Sequence, residues 1–268
     1  MAIISLITDF GVQDEYVGLM KAVMLGIDPA AVIVDVSHTV RPGDIPQAAF
    51  LLESTYGFFP PGSIHLVVVD PGVGTSRALL YLEAHTHRFI APDNGVLSLV
   101  MDLPSAVSLR RLDNPAWRRP CVSATFHGRD IMAPAAAHLS RGADVREVGP
   151  ELNLDDVTML TDLRAEPCED GRIAGRVVHI DRFGNLITNV DQAAIRKAQT
   201  VSPGRVLAVR IGDEVITGLS RTYADEDAGR PLALIGSRGY LEIAVNGGSA
   251  QLYFGIRPGD GVNLWTVV

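Results

Sequence analysis

Apolar and polar positions along this chain fall into two textures. Up to about residue 160, short β-branched runs take turns with stretches of helical period, the pattern of parallel βαβ units. "IISLITD", "AVIVDVS" and "SIHLVVVD" are predicted strands, and "DEYVGLMKAVMLGI" and "DIPQAAFLLESTYGFF" are predicted helices. These strands are apolar almost throughout, which predicts a sheet covered on both faces. Farther on, "ALLYLEA" and "RFIAPDNG" predict a hairpin, "VLSLVMDL" a short helix and "AVSLRRL" another strand. "RDIMAPAAAHLSRG" predicts a helix that Pro134 kinks or shortens.

Near residues 162–172, "DLRAEPCEDGR" is polar, charged and broken by Pro and Gly, as a linker is. From "GRIAGRVVHIDRFGNLITNV" to "GVNLWTVV" the chain gives short alternating strands, Gly-rich turns and almost no helical period. The expected fold class is α/β: an N-terminal α/β domain with a mainly parallel central sheet over residues 1–163, plus a smaller C-terminal all-β, barrel-like domain over residues 172–268.

Composition narrows the partners. A chain of 268 residues with net charge −8 and no Lys/Arg stripe is a poor match for a nucleic-acid backbone, so small molecules are the expected ligands. The two cysteines, Cys121 and Cys168, exclude a disulfide framework and a Cys-based zinc site, and they fit a reducing cytoplasm. The N-terminus has no basic segment ahead of an apolar one, and no apolar run is long enough to span a bilayer. A soluble, cytoplasmic protein with no membrane partner is expected.

In an open parallel sheet, ligands bind outside the carboxyl ends of the strands. Asp9, Asp35 and Asp70 fall there and are expected to converge on one crevice, although an Asp after a strand also commonly caps a helix or closes a turn. In "VDPGVGTSR", Asp70 and Arg77 flank a tight Pro/Gly corner. The stretch lacks the Gly-Lys-Ser/Thr ending of a phosphate-binding loop, and "TDFG" at the extreme N-terminus lacks everything that precedes a kinase's magnesium-binding motif. "ATFHGRDIMAP" sets His127 and Gly128 just before a helix. In the second domain Asp181, Asn185, Ser237 and Arg238 crowd around turns. Together they suit a zwitterion, with an Arg fork for a carboxylate and an Asp for an ammonium.

The ordered set "TDFG", "DEYVGLMK", "VDPGVGTSR", "APDNG", "TFHGRD", "DRFGN", "SRGYLEIAVN" and "GSA" resembles the S-adenosyl-L-methionine (SAM) hydrolases, or SAM hydroxide adenosyltransferases, relatives of the bacterial fluorinase and chlorinase. The resemblance implies hydrolysis of SAM to adenosine and L-methionine, with no cofactor and no metal. It implies Asp70, Arg77 and His127 as the catalytic set and Asp9 as the ligand of the ribose hydroxyls. Phe183 and Asn185 would contact adenine, Asp181, Ser237 and Arg238 would hold the methionine end, and the Gly128 backbone would approach the reacting carbon. A homotrimer with sites at subunit interfaces is implied as well. Asp70 and Val73 stand where the fluorinase branch has Tyr and Thr, and Gly128 stands where it has a halide-contacting Ser, which disfavours the halogenase alternative. Two other readings compete: a metal-dependent phosphoesterase built on Asp9, Asp35, His38, Asp70 and Asp93, which lacks recognisable ligand spacing, and a non-catalytic nucleoside- or SAM-binding protein.

Overall fold

The computed structural model describes residues 2–101, 106–161, 163–201 and 203–267, and the chain divides into two compact units, Met1–Thr161 and Asp162–Val268. In the first, β1 (Ile3–Thr8), α1 (Tyr16–Ile27), β2 (Val32–Ser37), α2 (Ile45–Tyr56) and β3 (Ile64–Val68) follow the βαβ pattern. The hairpin β4 (Leu79–Ala84) and β5 (His87–Pro92) comes next, then β6 (Ala106–Arg111) and α3 (Ala133–Ser140). The sheet order is β2-β1-β3-β5-β4-β6, with β1 parallel to β2 and β3, β3 parallel to β5, and β4 antiparallel to both its neighbours.

The two faces of β1 explain why it is apolar almost throughout. Ile4 and Leu6 pack with Met20 and Met24 of α1 and with the alanines of α3 in one buried cluster. Helix α2 also packs on β1 and β3, and its buried Phe50 and Leu52 lie outside that cluster, so it covers the opposite face. A side chain of this size contributes about 1.5–3 kcal/mol when fully buried. Asp44 caps α2 by accepting from Gln47 N at 3.0 Å, and Pro46 sits in the first turn, where its missing N–H costs nothing.

Three expectations need correction. Strand β2 is not covered on both faces: it is the sheet edge, and Val32 and Val34 are 47% and 36% exposed. "VLSLVMDL" is a run of turns from Gly95 through Met101 rather than a helix, its last two residues lying outside the described ones. Five apolar residues among the six from Val96 to Met101 satisfy a helix and a buried turn equally well. Pro134 does not kink α3 but sits in its first turn. The widening comes before it, in a π turn over Gly128–Met132 where Ala133 N donates to Gly128 O.

A histidine network lies in the interior of this unit. Ser5 Oγ bonds His65 Nδ1 at 2.7 Å, His65 Nε2 bonds His87 Nδ1 at 3.1 Å, and Tyr56 packs against His65, His85 and His87. Burial, then the neighbouring His87, pushes His65 down to about 3, and burial, then His85, lowers His87. Above pH ~6.5 the imidazole is neutral whether folded or not, so it adds no pH dependence. Below that, the unfolded chain takes a proton that the folded chain refuses, and stability falls as pH drops toward 3, with a limiting slope of ~1.4 kcal/mol per pH unit for one such group. Urea unfolding from pH 7 to 4 should show this loss, and His65→Gln should flatten it. An unchanged slope in the variant would remove His65 as its source.

The second unit comprises β7 (Ile173–Ile180), β8 (Leu186–Asp191), α4 (Gln192–Val201), β9 (Val206–Ile211), β10 (Glu214–Thr217), β11 (Pro231–Ile235), β12 (Tyr240–Val245), α5 (Ala250–Phe254) and β13 (Gly261–Val267). Its sheet order is β10-β9-β13-β7-β8-β12-β11, with antiparallel neighbours throughout. A bridge between Ser220, just beyond β10, and Leu234 of β11 brings the two edges together, so the sheet is a nearly closed barrel. Helix α4 corrects the expectation of almost no helical period. Its apolar face consists of Ala194, Ile195 and Ala198, and Asp191 accepts from Ala194 N at 2.7 Å at its start. Two of those three residues are alanines, too small to stand out as an apolar stripe.

Candidate active site

The corner after β3 is built to fold Arg77 back onto Asp70. Val73 N donates to Asp70 O and Thr75 N to Gly72 O, both at 3.2 Å, and Gly74 takes φ +80°. A Cβ on Gly74 would stand 2.4 Å from Ala124 O, so the corner lies flush against the segment leading to His127. Arg77 Nε donates to Asp70 Oδ1 at 2.7 Å and Nη2 donates to Oδ2, a two-pronged pair whose side chains are 11% and 6% exposed. Arg77 Nη2 also reaches His127 Nδ1 at 3.1 Å. A guanidinium can only donate, so Nδ1 accepts and the neutral ring carries its hydrogen on Nε2. Burial and then the Arg77 charge hold His127 below its ordinary range. The three residues the sequence singled out form one hydrogen-bonded chain, Asp70–Arg77–His127.

Two supports of this chain were not legible beforehand. Asn94 of "APDNG" donates from Nδ2 to Val69 O at 2.9 Å and so braces the residue before Asp70. Asp130 of "HGRD" is fully buried, where Arg129 Nε at 2.7 Å, Arg129 Nη2 at 2.8 Å and Ser123 N at 2.9 Å all donate to its carboxylate. Burial raises Asp130, but the bonds from Arg129 and Ser123 outweigh it and keep its carboxyl below the usual range. The charged Asp130 thereby ties both ends of the His127 loop together. An Asx-type brace and a buried anchor leave no periodicity, and only their place inside recurring motifs could have signalled them.

Asp9, Gly43, Asp70, Val73, His127 and Gly128 share a crevice of about 430 Å³. Gly43 N donates to Asp9 Oδ2 at 2.8 Å. Gly128 has a packing reason as well as a functional one, because a Cβ there would lie 2.9 Å from Val68 Cγ1. Asp35 does not join them. It lies inside edge strand β2, opposite Leu6 and short of the carboxyl edge, where it pairs with Lys21 at 2.6 Å and His38 at 3.0 Å, apart from the crevice lining. The phosphoesterase reading loses its ligand set in the same way. Asp70 is held by Arg77 and Asp93 accepts from Thr158 N at 2.8 Å, and among the described residues no three His, Cys, Asp or Glu side chains are grouped to hold a metal.

In the second unit, a cavity of about 730 Å³ gathers the remaining predicted residues: Asp181, Phe183, Asn185, Ser237 and Arg238 all line it. Asp181 shapes its own loop, with Oδ1 accepting from Phe183 N and Asn185 N, both at 2.9 Å, and Oδ2 from Asn185 Nδ2 at 3.1 Å. This turn leaves Phe183 75% exposed, a free aromatic face at the cavity. Arg238 lies opposite the carboxylates of Asp181 and Glu242, and burial lowers its pKa. Tyr223 and Glu242 also line the cavity and were not anticipated.

Acids at the carboxyl edge of a parallel sheet, one locked to an Arg and a His, together with a cavity suited to an aromatic ring and a zwitterion, define an enzyme acting on a small molecule. The chain belongs to the SAM hydroxide adenosyltransferase family: the models of that family's N-terminal and C-terminal domains match residues 4–149 and 175–263. It is 37% identical, over 96% of its own length and 97% of the relative's, to a protein of Thermus thermophilus named (R)-S-adenosyl-L-methionine hydrolase. It is 29% identical to a protein of Actinoplanes named fluorinase, over 96% and 95% of the two chains. The crystal structure of an uncharacterized conserved protein from Thermotoga maritima superposes with a TM-score of 0.89 at 36% identity, covering 98% of this chain and 99% of that one.

Proposed function

We propose that this enzyme hydrolyses S-adenosyl-L-methionine to adenosine and L-methionine. The observation that carries the reading is that Asp70 and His127, joined through Arg77, line one crevice with Asp9 and Gly128. The bond to be broken joins C5' to a sulfonium, which leaves as a neutral thioether, so sulfur needs no acid and no metal. The nucleophile is the difficulty, because bulk water has a pKa of about 15.7. Asp70 holds and polarises a water in line with the C5'–S bond. Its oxygen attacks C5', the bonding pair departs on sulfur, and the protonated product oxygen, now strongly acidic, gives its proton to Asp70. A weak base suffices at that late stage. Arg77 keeps Asp70 oriented and ionised, ready to take the proton, and cannot itself be the base. Arg77 already occupies His127 Nδ1, so His127 orients the guanidinium and passes the proton on only once Arg77 lets go.

Asp9 takes the ribose hydroxyls, Phe183 and Asn185 the adenine, and Ser237 and Arg238, with the loop of Asp181, the methionine end. The protein works in the cytoplasm without a cofactor. Both cysteines are free and exposed, and among the described residues no helix is long and apolar enough to cross a membrane. It assembles as a homotrimer with its sites at subunit interfaces. Support for assembly comes from Tyr16, Leu19 and Leu25 on α1 and Val32 and Val34 on the open edge β2, all 36–47% exposed.

Incubation with SAM, chloride and a chelator in heavy-oxygen water tests the activity. Adenosine labelled at its 5'-hydroxyl and L-methionine in equal amounts are the expected products. Unconsumed SAM, or 5'-chloro-5'-deoxyadenosine as the main product, would refute the assignment.

A further inference from the structure

Glu242 is out of place by ordinary rules. It sits in the middle of β12, a strand whose other residues are all apolar, and is 7% exposed where an aliphatic side chain would pack without the cost of burying a charge. The surrounding chain makes room for it. A Cβ on Gly236 would meet Glu242 Oε2 at 2.4 Å, so the turn that carries Ser237 and Arg238 lies directly over this carboxylate. Tyr223 Oη donates to Glu242 Oε1 at 2.5 Å and fixes its orientation. Residues from three segments therefore keep a carboxylate at the wall of the cavity that Asp181, Ser237 and Arg238 also line.

Charge at that wall does not balance. The ionisable groups bearing on Glu242 are Tyr223, Asp181 and Arg238, so one guanidinium faces two carboxylates and leaves an excess negative charge. Burial, followed by Asp181, raises the Glu242 pKa, which a bound cation would reverse. Asp181 is occupied in shaping its loop through three hydrogen bonds, whereas a carboxylate has room for about four donors and Tyr223 supplies one to Glu242.

On the SAM reading above, we infer that Glu242, oriented by Tyr223, accepts the α-ammonium of the methionine end, while Arg238 and Ser237 take its carboxylate. Selection for an α-amino acid rather than a plain carboxylic acid then resides in Glu242. Its neighbour Gly236 is part of the same device, since any side chain there would push the carboxylate out of place.

Calorimetry on the full-length protein with adenosine present separates the groups. Glu242→Gln should weaken L-methionine by ~10-fold or more, the usual scale for a hydrogen bond to a charged group. It should leave adenosine affinity within about twofold, and 4-(methylthio)butanoate, which lacks only the amino group, should bind wild type and variant alike because it never uses Glu242. In turnover the loss should appear mainly in KM. Tyr223→Phe, which removes a single hydroxyl and keeps the ring, should shift L-methionine affinity several-fold in the same direction, so the inference stays testable if Glu242→Gln does not fold. Equal L-methionine affinity in wild type and both variants overturns the assignment. So does a matching loss for L-methionine, its desamino analogue and adenosine, which would make Glu242 a structural residue. A wild-type protein that binds neither adenosine nor L-methionine overturns the SAM reading itself, and this inference with it.

Discussion

Asp70→Ala should lower the turnover of SAM by ~10²- to 10⁴-fold, the range ordinarily contributed by proton transfer to a placed side chain, with a much smaller change in KM. The asymmetry follows from where Asp70 acts: it touches the water, whose charge changes only as the C5'–O bond forms, and not the parts of SAM that confer affinity. A second consequence separates this variant from a simple loss of a base. Arg77 is 11% exposed and its Nε and Nη2 both point at Asp70, so deletion leaves a largely buried guanidinium with its principal partner gone. Losing one partner of such a buried pair costs about 3–5 kcal/mol. Asp70→Asn, which keeps the shape and one acceptor, should recover much of the stability and little of the turnover. The double variant Asp70→Ala with Arg77→Ala should be little slower than Asp70→Ala alone, because the two residues act as one unit. Single-turnover assays and thermal melts on the four proteins would read all of this. Near-native turnover in Asp70→Ala would leave the mechanism without its centre.

Much of this architecture could be read from the chain because burial and period coincide there. Strands β1 and β3 are apolar almost throughout and are buried on both faces, and the hairpin β4–β5 follows its two apolar runs, although its turn residues His85 and Thr86 take positive φ without a glycine. The site was legible where chemistry-bearing residues recur in ordered motifs, and Asp70, Arg77 and His127 meet as their motifs imply. Legibility failed where the decisive partner is a backbone atom or a distant side chain. Nothing near Asp35 in the sequence reveals its partner Lys21, or that the residue stops short of the carboxyl edge. Asn94 acts through a carbonyl 25 positions away, and Glu242, a single charge in an otherwise apolar strand, gives no sign in the sequence of the Tyr223 that holds it. Edge strand β2 carries the same valines as a central strand, and only the sheet order distinguishes them.

Gly74→Ala should cost the enzyme both stability and rate, for reasons that a comparison with Gly142→Ala can pull apart. Both glycines hold positive φ, +80° and +91°, where an L side chain pays about 1–2 kcal/mol. At Gly142 nothing lies within 4 Å of the added carbon, so that backbone cost is the whole effect. At Gly74 the carbon would arrive 2.4 Å from Ala124 O, and backbone cannot rotate aside as a long side chain can. Either the corner between Asp70 and Arg77 moves, or the segment three residues before His127 does. Each of these shifts breaks the register of a chain whose links are 2.7 and 3.1 Å long. Misplacement of about 1 Å at a reacting geometry costs ~10²-fold in rate. Gly74→Ala is therefore expected to melt below Gly142→Ala and to turn over SAM ~10²-fold more slowly than wild type, while Gly142→Ala keeps its rate. If both variants lost equal stability and both kept full turnover, the close packing of the corner on Ala124 would not be what aligns Arg77 with His127.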